Sequence, residues 1–165
     1  MAFTIHNMVG AQPIENTSTT QAHPLGTVVR GVDPTYGEGE FIYLLGVAGT
    51  VVGSLVKYNA TTWQTVLLTN TTVQAVPIAV AMSANVASQY GWYQISGNAV
   101  VKKTAVAVNP QVKVYISATA GRVKVIASAG LEVVGARSAN LTTVTSTTST
   151  VVLTINRPHC QSQIT

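Results

Sequence analysis

Valine occurs 26 times and threonine 23 times in a chain of 165 residues. Both branch at Cβ, which restricts χ1 and favours pleated, half-buried surfaces over helix. That choice of residues predicts an all-β protein. It argues against a helical bundle, a coiled coil or an acidic disordered chain. Charged residues make up only 8%, where soluble domains carry about 25%. A chain of 17.2 kDa is one domain, or one domain with an arm, and a compact monomer of that mass exposes roughly 7,800 Å².

Residues 1–24 differ in texture from the rest of the chain. Gln12 to Gln21 is polar and aperiodic, and Pro13 and Pro24 hold their predecessors extended. The segment reads as an extended N-terminal arm, either unfolded or laid on a neighbouring subunit. Phe3, Ile5, Met8, Val9 and Ile14 are large apolar residues within it and its candidate contacts with a partner. Residues 25–157 read as the β domain and 158–165 as a C-terminal tail.

Within the domain, turn residues punctuate short apolar runs. Strands are predicted at Gly26–Val32, Phe41–Leu45, Leu55–Tyr58, Trp63–Thr69, Val76–Met82, Leu131–Ser138 and Thr150–Asn156, with a loop at Gly37–Glu40. Gly97-Asn98 and Ala118 to Gly121 are each flanked by strand-like runs and read as hairpin turns. Ser83–Gln89 is the one stretch that reads as a helical turn or short helix. Arg122-Val123-Lys124-Val125 alternates, so bases and valines face opposite sides. Val76–Met82 is apolar on both faces and needs cover from a second sheet or a partner. Short strands at this spacing indicate a small β-sandwich or β-barrel of antiparallel strands. Ala48 to Gly53 faintly echoes Ala129 to Gly135, and Thr142–Thr150 is a threonine tract that reads as linker or strand.

Catalytic chemistry is sparse. His6 and His23 lie in the arm and His159 in the tail, so no core histidine is present to build a nucleophile–base pair. Glu38 and Glu40, with Asp33, form the one conceivable divalent-cation group; a solvated loop is the plainer reading. The lone Cys160 cannot form an internal disulfide, and with His159 it supplies too few ligands for zinc. No cofactor and no enzymatic activity are expected.

The net charge is +4, but Lys102-Lys103 is the only adjacent basic pair, so direct nucleic-acid binding is not expected. The first 40 residues hold four acids against one base, and the remainder eight bases against one acid. Head-to-tail packing of subunits would exploit that polarity. No signal peptide and no membrane span are read. Trp92 and Tyr93, in the densest aromatic cluster, read as core or interface anchors rather than a stacking platform. Trp63 or Trp92 beside Asn and Gln is the one arrangement suited to stacking on sugar rings.

Tyr90-Gly91-Trp92-Tyr93-Gln94-Ile95-Ser96-Gly97-Asn98-Ala99 resembles the G-W-x-Q-x-x-G strand pair of small β-rich head proteins of tailed bacteriophages. Lys113 to Arg122, then Ala127 to Gly130 and Val134 to Ser138, are similar to the next part of that pattern. The resemblance covers about residues 40–140 and is to the capsid decoration (cement) protein family. It implies a structural virion protein on the outer surface of the capsid, made in the host bacterial cytoplasm. Its partners would be the major capsid protein and further copies of itself, as a trimer or failing that a dimer. A tail, head-fibre or host glycan-binding module is the alternative.

Overall fold

The computed structural model describes residues 2–71 and 74–162. It is all-β: among the described residues there is no helix, and the strand ladders are antiparallel. The described residues form eleven strands: β1 (Thr4–Ile5), β2 (Val28–Asp33), β3 (Gly37–Leu45), β4 (Leu55–Tyr58), β5 (Thr65–Leu67), β6 (Ile78–Ala81), β7 (Tyr90–Lys102), β8 (Lys113–Ile116), β9 (Val123–Lys124), β10 (Glu132–Ser138) and β11 (Thr150–Cys160). Their order is β1-β2-β3-β7-β11-β10-β8-β9, with β4, β5 and β6 branching from β7.

The thirteen-residue β7 joins the two halves of the molecule. Its first part pairs with β3 on one side and β6 on the other; its second part pairs with β11. Beyond β9 the row comes back to the end of β7. Lys103, just after β7, bridges Val123 of β9, and the Thr104 N–H donates to the Val123 carbonyl at 2.9 Å. This closure wraps β7, β11, β10, β8 and β9 around Ala99, Val101, Val114, Ile116, Val133, Val151 and Leu153 in the manner of a small barrel.

Gly97-Asn98 is not a hairpin turn. β7 runs on through it, because Gly97 and Asn98 pair with Ile155 and Thr154 of β11, and Ser96 just before them pairs with both Glu40 and Asn156. The glycine is needed for a different reason. Its φ is +96°, and a Cβ there would collide with the Glu38 carbonyl of β3. The second hairpin is present as expected, with Tyr115 opposite Lys124. The loop expected at Gly37–Glu40 belongs to β3 instead. The turn lies one step earlier, where Asp33 Oδ1 accepts the Thr35 and Tyr36 N–H groups at 2.7 and 2.9 Å and Gly37 takes φ +77°.

Ser83–Gln89 forms turns, not a helix. Its backbone lies so close to Gly46 that a Cβ there would strike the Asn85 carbonyl. The buried Asn85 amide, set to satisfy both its ends, donates to the Gln89 carbonyl and accepts from the Gly91 N–H and the Tyr93 hydroxyl. Local side-chain bonding of this kind competes with helix. The echo of Ala48–Gly53 in Ala129–Gly135 stops at the glycines: the second copy leads into β10, the first is turn throughout.

The run Phe41–Leu45 is buried on both faces, and this chain covers both. Phe41 and Tyr43 join Trp92, Val29 and Met82 on one side. Ile42 and Leu44 join Tyr93, Ile95 and Val56 on the other. β6 is likewise buried at all four positions, with Ile78 and Val80 in the barrel core and Ala79 and Ala81 against Tyr93. No partner is required to cover either strand.

Residues 2–24 lie on their own chain. β1 pairs with β2, Ser18 bridges Tyr90, and the Ala2 N–H donates to Asp33 Oδ2 at 2.7 Å. The chain exposes 7671 Å², close to the roughly 7,800 Å² of a compact monomer of this mass. At the other end, β11 extends to Cys160, so the division at residue 157 falls inside a strand.

Candidate contact surface

Four of the five candidate contact residues of the N-terminal segment gather at one place. Phe3, Ile5, Met8 and Ile14 line a hollow of about 340 Å³, with Gly10 and Pro13 at its rim. Phe3 and Ile14 form its floor. Phe3 packs edge-on against Phe41, ring centres 4.9 Å apart, and both side chains are buried. Ile5 and Met8 are half-buried at the wall. Val9 stands outside, at 104% exposure, on a turn that Gly10 closes with φ +74°. Val9 is thus a fully solvated apolar side chain between Met8 and Gly10, two residues that line the hollow.

Trp92 and Tyr93 are core, not surface. Adjacent on β7, they point to opposite faces, and both have zero exposure. The Trp92 indole N–H donates to the Gln12 carbonyl at 2.8 Å, and its ring meets Tyr43 edge-on at 4.9 Å. Burial pushes the Tyr93 phenol up to about 12. Between them these two residues fasten the N-terminal segment to one face of β7 and β4–β6 to the other. Trp63 is half-buried, stacked on Tyr58 at 6.3 Å, and its ring covers Gly26.

The acidic residues do not converge on a cation. Burial opposes the Asp33 charge, but N–H bonds from Ala2, Tyr36 and Thr35 outweigh it and hold the carboxyl below its ordinary range. Glu38 faces His6 at 3.8 Å, and Glu40 is held between Arg30 at 3.4 Å and Arg157 at 2.9 Å. Among the described residues no three His, Cys, Asp or Glu side chains group as metal ligands. Glu38, Glu40 and the two arginines line an open hollow of about 390 Å³ where β2, β3, β7 and β11 run side by side. Its key residue, Arg157, is invisible to motif reading. The only sequence signal is that it precedes Pro158.

Lys103 also escapes sequence reading. It is 1% exposed, and its ammonium donates to the carbonyls of Thr104, Val106 and Thr145 at 3.3, 2.8 and 2.9 Å. Burial lowers its pKa. The contact ties the threonine tract, which enters a strand only at Thr150, to the end of the barrel.

Comparisons of the chain with protein-family models, with curated proteins and with solved structures find no match in any of the three. What the chain presents is an antiparallel all-β body with a hollow of mixed apolar and polar lining at one place on its surface and an ion-paired one at another.

Proposed function

We propose that this chain is a structural virion protein that binds the outside of a phage head and stabilises the capsid lattice. The observation that carries the proposal is Val9, solvated beside the hollow of Phe3, Ile5, Met8 and Ile14. The resemblance of Tyr90–Ala99 and Lys113–Ser138 to capsid decoration proteins points the same way, and an antiparallel β body suits that role. The major capsid protein is the partner, with further copies of the chain completing a homo-oligomer. Many weak contacts of this kind add up when they are engaged together on a lattice.

The test is the protein abundance profile of the purified particle, read beside binding of the isolated chain to empty expanded heads. Copy numbers near those of the major capsid protein, with binding lost in Val9→Asp, support the reading. A few copies per particle would assign a tail or fibre role instead. Absence from the particle would overturn it.

The glycan-binding alternative has one observation in its favour. Tyr58, stacked on Trp63, lines a hollow of about 290 Å³ with Asn59, Thr62 and Gln64. A glycan array separates the two readings.

A further inference from the structure

Arg157 is a non-glycine residue at φ +42° immediately before a proline. That position is doubly unfavourable. Left-handed backbone brings Cβ too close to the following carbonyl oxygen, and proline pushes its predecessor towards extended conformations. The strain has a local cause. β11 bulges against β10 between Asn156 and Pro158, opposite Gly135, whose own φ is +81° and whose Cβ would lie 2.7 Å from the Asn156 carbonyl. The bulge turns the Arg157 guanidinium towards β3, over the Ser96 position of β7, to reach Glu40.

Two open hollows meet at this bulge. One, about 390 Å³, holds Arg30, Glu40 and Arg157; the other, about 400 Å³, holds Gly135, Arg137 and Thr154; Asn156 lines both. Together they cross β3, β7, β11 and β10. The charges along them are unequal. Glu40 is 21% exposed and already paired with two arginines, while Arg30 and Arg157 remain 57% and 63% exposed. Arg137 is exposed and has no carboxylate partner among the described residues. Glu38 lies at the far end, against His6. A guanidinium carries five donors, so a contact with one oxygen of Glu40 leaves each arginine with outward-facing donors unspent.

We propose that this cross-strand groove is a second binding site, separate from the arm hollow, and that it takes an extended acidic segment of a partner protein. Carboxylates of the segment bond Arg157 and Arg137 as planar forks. The shape selects a chain over a small acid: a small-molecule site buries most of its ligand, and two shallow hollows in line do not. The site stands on the groove itself, whether or not the chain belongs to a virion.

The test uses the whole chain and two eight-residue peptides, one alternating Glu and Ser, the other alternating Gln and Ser. Expected is binding of the Glu peptide alone, weakening as salt rises. Arg137→Gln should reduce that affinity at least tenfold, and Arg157→Gln should do the same. Lys124→Gln, which removes the same charge from β9, should change it less than twofold. Because Arg137 is solvated and unpaired, its substitution leaves the fold intact even if Arg157→Gln proves unstable. Equal binding of both peptides, no binding of either, an equal loss in Lys124→Gln, or glutarate binding as tightly as the peptide would each overturn the proposal.

Discussion

Arg157 and Glu40 lie 117 positions apart in sequence, and the arginine Nη2 donates to the carboxylate at 2.9 Å. The bond passes over β7 and joins the last strand of the barrel to the sheet that carries the N-terminal segment. Arg30 meets the other oxygen of the same carboxylate. Removing the charge as Glu40→Gln should destabilise the fold by about 1 kcal/mol, the scale of exposed ion pairs, and less at high salt. Urea titrations at two ionic strengths measure it; an equal loss at both would show that the charge is not what matters.

The strain at Arg157 separates from its charge. Arg157→Gly and Arg157→Ala both delete the guanidinium, but only glycine accepts φ +42° without cost. The glycine variant should be more stable than the alanine variant by about 1 kcal/mol. Equal denaturation midpoints would mean that the bulge relaxes once the side chain is gone.

Gly97 gives a sharper contrast. Gly97→Ala drives a methyl group into the Glu38 carbonyl at a positive φ and should cost about 3 kcal/mol. In a two-residue hairpin turn the neighbouring Asn98 would matter as much. Within a continuous strand Asn98→Ala loses its bonds to the Tyr36 carbonyl and the Thr154 hydroxyl, a cost nearer about 1 kcal/mol. Thermal melts of the two variants rank them.

The N-terminal segment contributes to the fold it lies on. Phe3→Ala should destabilise the isolated chain by about 3 kcal/mol, as for other buried phenylalanines. Val9→Asp should leave stability unchanged, since that side chain is fully exposed to water. A Phe3→Ala variant as stable as the parent would mean that the segment does not lie on its own chain, but is unfolded or laid on a neighbour, the two readings its composition leaves open.

Acid should weaken the β2–β3 turn through Asp33. A carboxyl whose folded pKa is lowered supplies stability that is complete above its unfolded value, about 3.9. That stability is lost as pH falls through the folded value. Asp33→Asn keeps the acceptor for Thr35 and Tyr36 but does not titrate. Its stability should therefore fall less steeply between about pH 5 and about pH 2 than that of the parent. Parallel curves would mean that the lowered pKa is not realised.

The class of fold was legible in residue choice alone, because a chain so rich in valine and threonine satisfies its backbone most readily in strands. The Tyr115–Lys124 hairpin, the alternation around Val123 and the two-sided burial of β6 come from local pattern. Local pattern does not say which strand lies beside which. A glycine and an asparagine look alike in a tight turn and in a strand that another strand must approach closely; only the arrival of β3 beside β7 makes Gly97 the second. The same holds for the N-terminal segment. Its polar run reads as an arm, yet Phe3 and Ile14 find their cover on Phe41 and Val29, far along the chain. Arg157, Glu40 and Lys103 carry no motif. Glu40 meets Arg157 across 117 positions and Lys103 meets the Thr145 carbonyl across 42. At such separations only the closed sheet decides which charges and carbonyls come together.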